Sequence, residues 1–137
     1  MTAMDILLFI TNDRKCLYYD VFDHVFTNEI INKNHFDKII KQYGRVRINE
    51  DSLKYNIPLP SFREICHEEI MRFFVQTCVE EKETRKTLFY ILRRDDFVTP
   101  FIEKLKELDL YEDFCSECGN IYDDILKSWA EKHSIEL

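Results

Sequence analysis

The sequence predicts an α+β fold that is predominantly helical, with an N-terminal β-hairpin followed by a bundle of about four helices. Three observations lead there. Residues 15–31, KCLYYDVFDHVFTNEII, concentrate β-branched and aromatic residues around a turn-forming Asp23-His24 pair. Residues 61–79, SFREICHEEIMRFFVQTCV, begin with a capping box, Ser61 and Glu64, directly after Pro58-Leu59-Pro60. From Thr84 to Trp129 apolar residues recur at helical spacing. A chain of 137 residues, 45% apolar and with only two Gly and three Pro, is long and ordered enough for one core. We therefore expect a single domain over 1–137, with a hairpin-containing part, 1–60, and a helical part, 61–137.

In chain order, residues 4–11, MDILLFIT, form an apolar run of strand length, ended by the turn signal Asn12-Asp13. The hairpin pairs strand 16–22 with strand 25–31. Leu17, Tyr19 and Val21 fall on one face and Tyr18, Asp20 and Phe22 on the other, so neither face is cleanly polar. Helices covering both faces would account for that, and so would an exposed aromatic strip. Asn34 can cap a short helix over 35–43, ended by Gly44, and short strands are expected at 46–48 and 55–59 around a polar turn at 49–52.

The segment 61–79 is expected to form one central helix starting at Phe62. At roughly 100° per residue, Phe62, Ile65, Cys66, Ile70, Phe73 and Thr77 gather on one face, with Phe74 at its edge. Met71, Val75 and Cys78 make a second stripe nearly opposite, which implies neighbours on both sides. A shorter helix carries Leu88, Ile91 and Leu92. Thr99 as N-cap with Pro100 at the first helical position starts the next, burying Phe101, Ile102, Leu105 and Leu108. Asp109 and Glu112 offer an acidic capping box for the last helix, whose ladder reads Leu110, Phe114, Cys118, Ile121, Ile125 and Trp129. Gly119 within it suggests a kink or a close helix crossing.

Composition excludes several function classes. No run reaches the ~18–20 apolar residues of a membrane span, and the first residues lack the basic start and small-residue cleavage site of a leader, so a cytoplasmic protein is expected. Five cysteines, an odd number without regular spacing, fit reduced thiols. A formal net charge of −7 repels phosphate backbones, which argues against nucleic acid. Phosphate or RNA contact through Arg93 and Arg94, beside Asp95 and Asp96, is a weak alternative.

Cys115 and Cys118 form a CxxC, but Cys118 also falls on the apolar ladder, where a free Cys is an ordinary buried residue. A zinc site would need further ligands, and Cys66 with His67 could supply them if the last helix crosses the central one near its start. No HExxH, phosphate loop or nucleophile elbow is present. No cofactor is expected, and the sequence leans away from an enzyme.

The pieces IPLPSFREICHEEIMRFF at 57–74, the apolar helix at 88–92 and the closing DFCSECGNIYDDILKSWAEKHSIEL at 113–137 together resemble uncharacterised protein family 0158, a group of small bacterial proteins of unknown function. The resemblance covers most of the chain and implies no particular chemistry. That family tends to carry a segment rich in glycine and arginine between its middle helices. Here the matching stretch is RRDDFVTPF at 93–101, with Asp95 and Asp96 in place of glycines.

The functional expectation from the sequence is a non-catalytic module that binds another protein, or a second copy of itself, through Tyr18, Tyr19, Phe22 and Phe26 of the hairpin. These aromatics exceed what one covering layer needs, and aromatic residues are enriched at interface cores.

Overall fold

The computed structural model describes residues 2–21, 24–27 and 56–137. Among these the chain is α+β and mostly helical, with a three-stranded antiparallel sheet near the N-terminus. The helix expected at 35–43, the strand at 46–48 and the turn at 49–52 lie outside the described residues.

The chain opens with a helix, α1 (Ala3–Leu8), where the sequence suggested a strand over 4–11. An unbroken apolar run has no period to separate the two, and the deciding signal is a capping box. The Thr2 hydroxyl accepts from the Asp5 amide at 3.1 Å and the Asp5 carboxylate accepts from the Thr2 amide at 3.0 Å. Those bonds hold the Asp5 carboxyl below the usual carboxylate range. Met4, Ile6, Leu7 and Ile10 are buried, and α1 lies against the last helix.

The hairpin forms from β1 (Tyr18–Asp20), shorter than the expected 16–22, and β2 (Val25–Thr27), with Tyr19 opposite Phe26; the rest of the expected second strand, 28–31, lies outside the described residues. His24 in the turn has φ 54°. The strand foreseen near 55–59 is β3 (Asn56–Pro58), which pairs with β1 on its other edge to give the order β2-β1-β3. The pairing runs on past Pro58 through the Leu59 amide, which donates to the Leu17 carbonyl at 2.9 Å, and Pro60, with no donor, follows it.

The expected central helix is two helices, α2 (Phe62–Ile65) and α3 (His67–Cys78). Ser61 caps α2 through its bond from the Glu64 amide, 3.3 Å, returned by Glu64 to the Ser61 amide, 3.1 Å. Cys66 then adopts a left-handed conformation, φ 60° and ψ 50°, and ends the helix after one turn. This break resets the helical phase, so a single wheel drawn from Phe62 still finds Ile70 and Phe74 but turns Phe73 inward and sets Met71 and Val75 on a separate face. The buried face of α3 is His67, Ile70, Met71, Phe74 and Val75, whereas Phe73 is 47% exposed. The supposed second stripe is thus part of the only face that α3 buries, and Phe73 belongs to solvent.

Helix α4 (Lys82–Ile91) buries Leu88, with Leu92 buried just beyond it, as the spacing implied. Helix α5 (Val98–Glu107) starts before Thr99, so Thr99 is not its N-cap and Pro100 is its third residue. Proline is tolerated there because amides of a first turn have no partner within the helix. Phe101 and Leu105 are buried, while Leu108 is exposed.

Asp109 does not cap the last helix, α6 (Tyr111–Lys132). It closes α5 instead, at φ 60°, with the Asp109 amide donating to the Lys106 carbonyl (3.3 Å) and the Leu110 amide to the Leu105 carbonyl (2.8 Å). That is a Schellman ending with aspartate in the usual glycine position. Ser134, φ 56°, ends α6 in the same way, the Ile135 amide reaching the Ala130 carbonyl at 2.8 Å.

The buried stripe of α6 is Phe114, Cys118, Tyr122, Leu126, Trp129 and Ala130. Ile121 and Ile125, expected on the ladder, sit half-buried beside it. Phe114 centres the core, with Phe74, Phe101 and Tyr122 at ring-centroid distances of 5.2, 6.0 and 6.5 Å.

Gly119 marks no close crossing. Helix α6 continues through it, and a Cβ built there meets no atom of a neighbouring element within 4 Å. Gly119→Ala should therefore raise stability by ~0.5–1 kcal/mol, by restricting the unfolded chain without a clash. A denaturant midpoint equal to or below wild type would contradict this.

Candidate functional site

The Pro58-Leu59-Pro60 segment and the capped turn at Ser61 hold the end of the sheet against the outer flank of α6. Between them lies an open groove of about 760 Å³. Tyr18 of β1, Pro58 of β3 and Pro60 line one side, and Ile121 and Ile125 of α6 contribute the other. Trp129 is only 7% exposed and anchors the base of the groove. Its indole N–H donates to the Pro58 carbonyl at 2.8 Å, and its ring packs edge-on to Tyr19 at 6.4 Å. That bond joins residues 71 apart in sequence and fixes α6 relative to β3.

Charged groups in the groove are few. Glu64, Asp124 and Lys132 line it. The backbone and hydroxyl of Ser61, with Lys132 as a smaller influence, hold the Glu64 carboxyl below the usual range. A general acid needs the opposite shift, and this carboxylate is already committed to a helix cap. The arrangement suits burial of an apolar surface with limited polar contact, within the ~300–1,000 Å³ of ordinary binding clefts.

The hairpin residues expected to bind a partner divide by environment. Tyr18 is half-buried and lines the groove. Tyr19 is 5% exposed, bonded through its hydroxyl to His24 Nδ1 at 3.1 Å and packed on Phe26 at 5.4 Å. Tyr19 therefore supports the strip from within. Phe26 is half-buried, and Phe22 lies outside the described residues.

Cys66, His67, Cys115 and Cys118 do not converge on a point. Among the described residues no group of three or more His, Cys, Asp or Glu side chains is arranged to hold a metal ion. His67 is buried with both ring nitrogens engaged, Nε2 donating to the Ile10 carbonyl at 3.0 Å and Nδ1 accepting from the Tyr122 hydroxyl at 2.8 Å. The carbonyl can only accept, which fixes the neutral tautomer with the proton on Nε2. Cys66 is exposed and its thiol donates to the Arg63 carbonyl at 3.1 Å. Cys118 is buried, and burial first, then Cys78, Glu117 and Cys115, push its thiol up to about 12. It is uncharged at neutral pH and is no nucleophile. Arg93 and Arg94 are exposed after α4, beside exposed Asp95 and Asp96.

The sequence singled out Tyr18 but placed Ile121, Ile125 and Trp129 together on the buried ladder of the last helix, and the groove was missed. The available signal was that α6 carries two adjacent stripes, Ile121/Ile125 and Tyr122/Leu126, more apolar surface than one seam requires. Among the described residues no helix is long and apolar enough to cross a membrane. Comparison with protein-family models, curated proteins and solved structures returned no match to this chain.

Proposed function

We propose that the chain is a non-catalytic interaction module that holds another protein chain in the groove beside the hairpin. The observation that carries this reading is the groove's lining: Tyr18, Pro58, Ile121, Ile125 and Trp129 converge there, and its one carboxylate with a shifted pKa is shifted away from acid catalysis. Partly exposed aromatic and aliphatic groups on a rigid floor are what protein interfaces use as anchors. The net charge of −7 and the acidic groups in the groove count against nucleic acid as the occupant. The resemblance to uncharacterised protein family 0158 names no chemistry and adds nothing to the choice.

Tyr18→Ser and Ile125→Ser test the reading. Both side chains are half-buried, so the variants should keep the wild-type circular dichroism while losing the chains that co-purify with the protein, its own copies included. Retention of the same bound chains and the same solution mass by both folded variants would remove the groove from consideration.

A further inference from the structure

The outer flank of α6 carries a charge pattern that inverts its sign, and so becomes its own complement, when the helix is reversed. At roughly 100° per residue, Ile121, Asp124, Ile125, Ser128 and Lys132 fall within an arc of roughly 100°, and all five line the groove. Asp124 lies one turn before Ser128 and Lys132 one turn after it, each about 6 Å along the axis at 1.5 Å per residue. Asp124, Ser128 and Lys132 are exposed. Neither Asp124 nor Lys132 belongs to an ion pair among the described residues, although Lys132 is near enough to lower the Glu64 carboxyl.

We infer that the occupant of the groove is a second copy of this chain, its α6 antiparallel to the first and crossing it at Ser128. This rests on the groove being a docking surface. A two-fold axis at Ser128 places Asp124 of each copy alongside Lys132 of the other, forming two equivalent ion pairs from one set of residues. Ser128 at the crossing is small enough for close approach of the backbones. Ile121 and Ile125 then lie on the ridge that each copy offers to the other's groove. Charge complementarity of this kind fixes orientation and register more than it adds affinity. The net charge of −7 per chain opposes association at long range, but at ~0.15 M salt the Debye length is ~8 Å, so contacting pairs outlast the repulsion.

Light scattering at that ionic strength tests the inference with Asp124→Lys, Lys132→Asp and an equal mixture of the two variants. Wild type should have the mass of two chains. Each variant alone sets like charges against each other twice and should weaken association on the order of tenfold to a hundredfold. The mixture should recover the two-chain mass, because every crossing then pairs a lysine with an aspartate. A single-chain wild type, variants that still pair, or a mixture that stays single would each overturn the inference. Failure of the groove reading looks different: Ile125→Ser would then leave every associated chain in place.

Discussion

Phe114→Ala is expected to destabilise the protein by ~3–5 kcal/mol. Phe114 is fully buried on α6 and touches rings from α3, α5 and its own helix: Phe74 at 5.2 Å, Phe101 at 6.0 Å and Tyr122 at 6.5 Å, all near edge-on. Removing it takes away the transfer energy of the ring and leaves a cavity between α3, α5 and α6. Phe73→Ala is the matched control. The same chemical deletion at a side chain 47% exposed should cost well under half as much, since most of a side chain's contribution scales with the apolar area removed from water. Denaturant unfolding separates the outcomes. Similar losses for the two variants would mean that α3 presents a different face to the core.

Acid should destabilise the fold through His67. Burial, opposed in part by the Ile10 and Leu7 carbonyls, lowers its pKa from 6.5 to about 4. Above 6.5 the imidazole is neutral in both folded and unfolded chains and titration contributes nothing. Below 6.5 the unfolded chain takes up a proton that the folded chain refuses until about pH 4, so stability falls as pH falls through that window. At 1.36 kcal/mol per pKa unit, the loss between pH 7 and pH 5 is ~2 kcal/mol, approaching ~3 kcal/mol by pH 4. The geometry agrees in direction, because a second ring proton on Nδ1 would require the Tyr122 hydroxyl to turn and accept, giving up the bond it donates. Burial also pushes the Tyr122 phenol upward, which keeps it a neutral donor. His67→Gln removes the titration while keeping a polar side chain. Its stability should therefore change less than wild type between pH 7 and pH 5, with carboxylate effects common to both. Equal pH dependence in the two proteins would show that His67 already binds its proton in the fold.

The fold was legible wherever a signal was local and periodic. The Ser61 capping box, the existence of the hairpin, the β3 segment and the helices around Leu88, Phe101 and Phe114 all follow from residue order, whereas the register, Asp20 opposite Val25 across a longer turn than Asp23-His24, does not. What failed had physical causes that act over distance or against propensity. Cys66 in a left-handed conformation is unmarked by any glycine, so the phase reset between Ile65 and His67 left no trace in the pattern. Asp109 has the same chemistry whether it caps α6 or closes α5, and only the bonds to Lys106 and Leu105 decide. The apolar run of α1 matched a strand in length, and its cap used aspartate where glutamate is commoner. For the site, Tyr18 was singled out within the hairpin while Trp129 was read as core, and the groove exists only because α6 lies beside Pro58, a contact 71 residues long in sequence.

Thiol accessibility tests the central claim, that the groove is a docking surface, most directly. Cys16 and Cys66 are both exposed; Cys16 lines the groove, whereas Cys66 lies in a separate small cavity with Phe97. Alkylation of the two can be followed by mass spectrometry at increasing protein concentration, with Ile125→Ser as the reference. If the groove is occupied on association, Cys16 labelling should slow as concentration rises while Cys66 labelling stays constant, and Ile125→Ser should show no slowing. Cys16 labelled at one unchanging rate in the associated wild-type protein would contradict the account.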